Sequence, residues 1–245
     1  MEINEERSSI PLYLRIQEDI LRIIANTEPG DRMPSEPALA KHLGVSRATL
    51  REAMRTFETQ GLIRRRQGSG TFVTKPSKVI ETGLEVLESI NKIAHRIGLT
   101  VTMGEMEVRE RAPTQDEIRA LELSVDDRVL HLSRVMQENE RPVAYLIDIL
   151  PTEILSEDEL NAKFSGSVLD TLLNRGDLAL TSSRTEINAV GASQKIARAL
   201  QIQRGDVLLL FTGYLYSESG QVVDYSFSYF LPGYFSFHVV RTVGG

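Results

Sequence analysis

The sequence contains no cysteine. This absence excludes disulfide bonds and thiolate metal sites, and it is typical of proteins from a reducing compartment. Long apolar runs are absent too, since no stretch approaches the roughly 20 residues that a membrane-spanning helix needs. The first ten residues, MEINEERSSI, lack the apolar segment of a secretory signal. We therefore expect a cytoplasmic protein with no membrane segment, no bound metal and no cofactor.

Positive charge is scarce in the chain as a whole but concentrated in one segment. The 28 basic residues are outnumbered by 34 acidic ones, for a formal net charge of −6. Residues 41–75 nevertheless hold eight basic residues against two acidic ones. A compact basic segment in an otherwise acidic chain predicts a local anion-binding surface. The 245 residues also suffice for two domains, each with its own core.

The basic segment overlaps a pair of short predicted helices. Residues 35–44 read SEPALAKHLG, in which Ser35 suits a helix N-cap and Gly44 a left-handed C-cap. A second helical pattern, RATLREAMRTFET, follows directly after Ser46. Two short helices joined by a few residues that include glycine predict a helix-turn-helix. The next residues, LIRRRQGSGTFV, have the pattern of a β-hairpin with a glycine turn, and such a hairpin forms a wing.

The second of these helices carries Arg47 and Arg51 at its start. A recognition helix contacts the major groove mainly with its N-terminal residues, and arginine can bond guanine O6 and N7 there. Ala48 suits a thymine methyl group, and hydroxyl groups suit phosphate oxygens. The alternative is that these arginines only pair with Glu52 and Glu58 on a solvated surface. The predicted DNA-contacting residues are Ser35, Ser46, Arg47, Ala48, Thr49, Arg51, Arg65, Arg66, Gln67, Gly68 and Ser69.

The second half of the chain has a different pattern. The polar, proline-containing residues 75–82 are interpreted as a linker between a domain at 1–74 and a domain at 83–245. An amphipathic helix is predicted over GLEVLESINKIAHRIG, residues 83–98. Beyond it, alternating apolar and polar residues predict strands, interrupted by three helical stretches. Because hairpins dominate, we expect an α+β domain with a mostly antiparallel sheet.

Residues 10–74 resemble the winged-helix domain of the GntR family of bacterial transcription regulators. The resemblance rests on PGDRMPSE, LGVSRATLREAM and GLIRRRQGSGTFV, which match in order and spacing. It implies that Arg47, Thr49, Arg51, Gln67 and Gly68 contact operator bases and phosphates. The chain departs from the family after the PSE glutamate. Many members have arginine there, and this chain has Pro37, so that base contact is not expected.

Residues 80–243 resemble the HutC subfamily, whose UTRA domain has a chorismate-lyase-like fold and binds small molecules. The match includes RVLHLSRVMQENERPVAYLIDILP and GQVVDYSFSYFLPGYFSFHVVR. It implies an effector pocket over the sheet and candidate contacts at Arg134, Ser167, Asp224, Tyr229, Tyr145 and Asp148. A guanidinium at Arg134 suits carboxylate or phosphate, although an internal ion pair is a near-equal alternative. Ser167 can serve as an N-cap, and Tyr229 as part of a core stripe with Tyr225 and Phe227.

Two departures from sugar-phosphate-sensing relatives bear on the effector. Met136 stands where those relatives carry a second basic residue, and Leu169 stands where they have an aromatic residue. A phosphorylated sugar and a less charged, partly apolar metabolite therefore both stay open.

The predicted function is a ligand-responsive transcription regulator, specifically a repressor. It would bind a near-palindromic double-stranded operator as a homodimer, because one recognition helix contacts too few base pairs. The alternative is a chorismate-lyase-like enzyme acting on a small aromatic acid. The sequence shows no metalloprotease motif, P-loop or dinucleotide fingerprint, and its four histidines are scattered. We therefore do not expect catalytic residues. A double-stranded RNA or architectural binder would lack sequence selectivity, which the placement of the two arginines disfavours.

Overall fold

The computed structural model describes residues 12–59, 62–66, 68–74, 80–96 and 99–239. The chain divides into two units between Val79 and Ile80. Gln67 and residues 75–79 of the predicted linker lie outside the described residues. Residues 80–82, which were predicted to complete the linker, instead belong to a strand of the second unit.

The described residues of the first unit form three helices and a β-hairpin. The backbone of this unit also pairs the loop before the second helix with the hairpin, since Met33 N donates to Thr71 O at 2.8 Å and Val73 N to Asp31 O at 2.9 Å. The hairpin is antiparallel, with Ile63 opposite Val73 and Arg66 opposite Gly70. The elements are α1 (Leu12–Ala25), α2 (Glu36–Leu43), α3 (Arg47–Thr59), β1 (Ile63–Arg66) and β2 (Gly70–Val73).

Local sequence explains where α2 begins and ends. The Ser35 side chain accepts a hydrogen bond from the Ala38 amide, and Gly44 takes the left-handed conformation at φ 66°. The α2–α3 turn is therefore only three residues long. The apolar faces of the three helices and the hairpin enclose one core, formed by Ile16, Ile20, Ile24, Met33, Leu39, Ala40, Leu50, Ala53, Met54, Phe57, Ile63 and Val73.

The second unit is α+β, as predicted. Its strands are β3 (Ile80–Gly83), β4 (Val101–Arg111), β5 (Val129–Glu138), β6 (Arg141–Pro151), β7 (Leu180–Gly191), β8 (Val207–Ser217), β9 (Val222–Phe230) and β10 (Phe235–His238). Six of them form a fully antiparallel sheet in the order β4-β5-β6-β9-β8-β7, and β3 pairs in parallel with β10 outside this sheet. The helices are α4 (Ile90–Arg96), α5 (Gln115–Leu121), α6 (Glu157–Lys163), α7 (Val168–Leu173) and α8 (Gln194–Ala199).

Helices cover parts of both faces of the sheet. Face A, as we call it, carries Arg134, Leu146, Gly213 and Ser226, and α6 and α7 pack at one end of it. The opposite surface, face B, packs against α5 and α8. The middle of face A remains uncovered by these helices, which leaves room for a cavity.

The predicted helix over residues 83–98 is shorter than expected. It begins only at Ile90, after the Ser89 hydroxyl accepts a hydrogen bond from the Lys92 amide at 3.3 Å. The preceding segment, residues 84–89, is irregular, and its Leu84, Val86 and Leu87 side chains are exposed. The apolar spacing of residues 84–89 resembles a helical face, but the helix begins about two turns later than predicted, where the Ser89 hydroxyl caps it.

Candidate DNA interface and effector cavity

The start of α3 presents its polar side chains outward. Leu50 and Met54 are fully buried and anchor the helix, whereas Arg47, Ala48 and Arg51 are exposed. The Ser46 hydroxyl oxygen accepts from the Thr49 amide at 3.1 Å and lies 2.8 Å from the Thr49 hydroxyl. This capping holds the first turn in place. The candidate residues at the helix start therefore share one exposed surface.

A carboxylate that the sequence analysis missed connects this surface to the wing. Glu36 Oε2 accepts from Arg51 Nε at 2.7 Å, and Glu36 Oε1 lies 3.4 Å from Arg65 Nε. The Glu36 side chain is only 16% exposed. The predicted alternative partners are used differently: Glu52 pairs with Arg55, and Glu58 accepts from the Arg65 amide. Glu36 thus holds two candidate DNA-contacting arginines beside each other.

The wing turn depends on two glycines with positive φ, Gly68 at 75° and Gly70 at 113°. A Cβ on Gly70 would lie 2.5 Å from Arg32 Nε, so the Arg32 guanidinium lies against the turn. The sequence analysis did not identify Arg32, because this residue lies in the loop before α2, outside the predicted helix pair and wing. Arg66 lies 5.0 Å from the Phe72 ring centroid. Arg66, Gly68 and Ser69 are exposed, as is Ser35 at the start of α2.

The second unit contains a cavity of about 470 Å³ over face A. The loop at residues 84–91 and the start of α7 close its other sides. Four of the predicted effector contacts line it: Arg134, Asp148, Ser167 and Asp224. Tyr145 and Tyr229 pair with each other on face B, with ring centroids 6.5 Å apart, and do not line this cavity. The period-two alternation of β9 places Tyr229 and Asp224 on opposite faces.

Arg134 and two carboxyl groups form a buried cluster at the cavity floor. Arg134 Nε donates to Gly166 O at 2.7 Å, and Nη1 forms an ion pair with Asp148. Burial raises the pKa of Asp224 well above its usual range, and the Asp148 carboxyl raises it further, partly offset by Arg134. Asp224 is 6% exposed, and its Oδ1 has no hydrogen-bond partner among the described residues.

The start of α7 carries its own negative charge. The Ser167 hydroxyl oxygen accepts from the Asp170 amide at 3.1 Å, so the N-cap role considered for this serine is present. The Asp170 carboxylate lies 2.6 Å from Lys92 Nζ. Burial raises the pKa of Asp170, but hydrogen bonds from Lys92, Ser89 and Ser167 outweigh that effect and leave the pKa lowered. Asp170 therefore stays ionised at neutral pH.

Two further groups of cavity residues were not predicted from the sequence. One is a set of hydroxyl side chains on β7 and β9, the two strands that flank β8, consisting of Ser183, Thr185, Ser226 and Ser228. The other is an aromatic cluster, in which the Phe211 ring centroid lies 5.2 Å from that of Phe230 and 4.4 Å from that of Phe237. The alternation of serine with aromatic residues in DYSFSYF was the available signal. It placed the serines on one face, and this face lines the cavity.

A winged helix-turn-helix followed by an α+β unit with a polar cavity defines a class: DNA-binding transcription regulators with an effector domain. Family models agree. Residues 12–73 match the bacterial regulatory proteins of the gntR family, and residues 97–236 match the UTRA domain. The chain belongs to the GntR family and is a transcriptional repressor of the HutC type with a UTRA effector domain. No described helix is long and apolar enough to cross a membrane.

Named relatives and solved structures are similar over most of their lengths. The chain is 28% identical to the HTH-type transcriptional repressor NagR of Bacillus subtilis, with 97% of each chain covered. It is 32% identical to the histidine utilization repressor of Pseudomonas putida, with 82% of this chain and 80% of that one covered. The crystal structure of PhnF from Mycobacterium smegmatis matches with a TM-score of 0.62 and 21% identity, over 94% of this chain and all of that one.

Proposed function

We propose that the protein binds a double-stranded operator as a homodimer and that a small molecule in the face A cavity modulates this binding. The observation that carries the proposal is the joint exposure of Arg47 and Arg51 at the start of α3. In the major groove, each arginine can bond one guanine through O6 and N7. The Ala48 side chain contacts a thymine methyl group.

The wing and the helix starts contact the DNA backbone. Hydroxyls and exposed amides at the helix starts bond phosphate oxygens, while the wing lies along the backbone or in the minor groove. These contacts position the protein without selecting a sequence. The proposed backbone and wing contacts are Ser35, Ser46, Thr49, Arg65, Arg66, Gln67, Gly68 and Ser69.

Two copies of the chain are needed for selectivity. One recognition helix contacts only a few base pairs, whereas two helices related by a two-fold axis contact both halves of a near-palindrome. A closed two-fold dimer is also the commonest symmetric assembly. We assign dimer formation to the second unit and the activity to the cytoplasm, where DNA is accessible.

The effector site comprises Arg134, Asp148, Ser167 and Asp224, which share the cavity. Tyr145 and Tyr229 lie on the other side of the sheet, so we leave them out of the site. We propose that the protein binds its effector without transforming it, since the relatives NagR and the histidine utilization repressor are named as repressors. Turnover of small aromatic acids by the purified protein would instead support the lyase alternative.

Replacement of one arginine tests the DNA assignment. Operators are first selected from random duplexes with the full-length protein, and affinity is then measured by fluorescence anisotropy. Arg51→Ala should weaken operator binding by about tenfold or more, since a bidentate arginine–guanine pair contributes about 1–3 kcal/mol. Arg22→Ala is the matched control, because Arg22 is an exposed arginine of α1 paired with Asp19. Equal affinities of the two variants, or failure to select any sequence, would refute the proposal.

A further inference from the structure

The face A cavity has two places that the sequence suggested for binding an anion, and both already hold a carboxylate. The first is the Arg134 guanidinium. Its Nε donates to Gly166 O, and its Nη1 is paired with Asp148. Among the described residues that line the cavity, Arg134 is the only cation. An incoming phosphate or carboxylate would therefore have to displace Asp148 from a side chain that is only 5% exposed.

The second place is the start of α7. Ser167 caps this helix, and the Asp170 carboxylate lies there with Lys92 as its counter-ion. The side chain of Asp170 is 15% exposed, so its charge is poorly screened by solvent. An anionic ligand beside Ser167 would meet a like charge, which disfavours its binding.

The acids that line the cavity do not favour a cation either. Glu85 and Glu88 line it but are engaged with other groups, so Asp224 is the acid left to face a ligand. Asp224 lies beside Asp148 and the Arg134 guanidinium at the floor of the cavity, and burial together with the Asp148 charge raises its pKa. Both effects favour the protonated, uncharged form of Asp224. Its Oδ1 nevertheless lacks a partner among the described residues, which is costly for a buried polar atom. A hydroxyl or amide N–H donor on the ligand would satisfy this oxygen without adding charge.

The side chains of the cavity walls indicate which other groups the ligand carries. The hydroxyls of Ser226 and Ser228 lie on β9, and those of Ser183 and Thr185 lie on the second strand away, β7. Hydroxyl groups both donate and accept, so they match a ligand with several hydroxyls of its own. Phe211 and Phe237, with ring centroids 4.4 Å apart, supply an apolar wall suited to a flat ring.

Resting on the proposed regulator function, the structure assigns to this cavity an uncharged effector that carries several hydroxyl groups and a flat ring, of the chemical type of a nucleoside or an aryl glycoside. The ring lies against Phe211 and Phe237. The hydroxyl groups of the ligand lie between the hydroxyl side chains of β9 and those of β7, and one of them donates to Asp224. Arg134 and Asp170 then act within the protein, as internal ion-pair members, and not as the counter-ions of a charged ligand.

The test compares matched ligands on the full-length protein without DNA. Adenosine, uridine and phenyl β-glucoside form the neutral set, and each is paired with its phosphate monoester and with an amino-substituted analogue. Thermal shift and calorimetry report binding, because a ligand stabilises the folded state according to its occupancy. At least one neutral compound should bind at least tenfold more tightly than its phosphate and its amine. Preference for a charged member of a pair, or no binding by any neutral member, overturns the inference.

Inorganic phosphate provides a simpler probe of the two neutralised positions. The unmodified protein should show no stabilisation by phosphate beyond that of sodium chloride at equal ionic strength. Asp170→Asn frees Lys92 and Ser167, and it should create a phosphate response at concentrations where the parent protein shows none. Phosphate stabilisation of the parent protein, or no gain in Asp170→Asn, contradicts the assignment.

A steric pair of variants locates the bound ligand. Ser228→Leu fills the cavity on face A and should abolish binding of the best neutral compound. Thr212→Leu adds the same bulk on face B of the neighbouring strand and should leave binding within about twofold. Loss of binding in Thr212→Leu alone would place the ligand on the other face and overturn the assignment. Operator affinity without ligand is measured separately, so a failure of the regulator function is distinguished from a failure of the ligand class.

Discussion

Glu36 illustrates how a single side chain can organise a charged surface. Its two carboxylate oxygens face Arg51 of α3 and Arg65 of the wing, which are 14 residues apart in the chain. Without this carboxylate, two guanidinium groups would repel each other and adopt many rotamers. Glu36 therefore acts as a positioning residue for the proposed DNA contacts.

We predict that Glu36→Gln lowers sequence selectivity while strengthening non-selective binding. Removal of one negative charge from a DNA-facing surface favours any duplex, but the arginines lose their common partner. The ratio of operator affinity to random-duplex affinity should fall several-fold, as measured by anisotropy at two salt concentrations. Glu52→Gln removes an acid that pairs with Arg55 on the same helix, and it serves as the control. An unchanged ratio would exclude the positioning role.

Asp224 links the stability of the second unit to pH, because its carboxyl is buried. Burial raises the pKa of Asp224 most and the Asp148 carboxyl raises it further, whereas the Arg134 guanidinium and the Ile149 amide lower it. Because its pKa is raised in the folded state, its contribution to stability is complete at low pH. That contribution is lost as pH rises through the folded-state pKa.

We predict that Asp224→Asn gains stability relative to the parent protein as pH increases. The amide cannot ionise, so it escapes the cost that builds up for the carboxyl as pH rises from its unfolded-state pKa to its raised folded-state pKa. Melting temperatures measured between about pH 5 and about pH 8 should diverge in favour of the variant, up to the limit of about 1.4 kcal/mol per pH unit for one proton. Parallel melting curves across this range would show that Asp224 has an ordinary pKa.

At the scale of elements, the wing shows how a short turn is held by backbone conformation and by a distant side chain. Gly68 and Gly70 both have positive φ, but only Gly70 faces another group, the Arg32 guanidinium. Arg32 also pairs through its backbone with Phe72 of β2. The loop before α2 and the wing therefore move as one element.

We predict that Gly70→Ala destabilises the first unit more than Gly68→Ala does. Both substitutions force alanine into a positive-φ conformation, which costs on the order of 1–3 kcal/mol. Only the Gly70 variant also displaces Arg32, since its Cβ would lie 2.5 Å from Nε. Thermal unfolding of the two variants provides the measurement. Equal losses would show that Arg32 moves aside freely and does not support the turn.

At the scale of the whole molecule, the proposed function requires that ligand and operator influence each other. Coupling between two sites is reciprocal: the factor by which a ligand changes operator affinity equals the factor by which operator changes ligand affinity. Typical coupling free energies are about 1–3 kcal/mol, or about 5- to 150-fold.

We predict that this factor is measurable in both directions and that it disappears in Ser228→Leu. The ligand is the best neutral compound from the thermal-shift panel, and anisotropy and calorimetry give the two affinities. Operator affinity without ligand should be similar in Ser228→Leu and Thr212→Leu, because neither residue lies in the first unit. Unequal factors would show that the two measurements do not follow the same binding equilibria, and coupling retained in Ser228→Leu would place the regulatory site elsewhere.

Much of the first unit could be predicted because its determinants are local. Ser35, Gly44 and Ser46 set the helix ends through hydrogen bonds within a few residues, and the glycine pair sets the wing turn. The family resemblance and the α+β class of the second unit were also confirmed. By contrast, the predicted start of α4 was wrong by about two turns. The spacing of Leu84 and Leu87 resembles that of a helix, but the helix begins only after Ser89.

The sequence by itself determined the order of elements, the basic surface of the first unit and the alternation that separates the two faces of the sheet, since these depend on neighbours along the chain. Only the tertiary structure decided which charges are already neutralised. Glu36 pairs with Arg51 and Arg65, and Asp148 pairs with Arg134. The partners are far apart along the chain, so no local sequence pattern predicts these pairs. Burial, which changes both the pKa of Asp224 and the strength of each ion pair, depends on the packing of the whole unit.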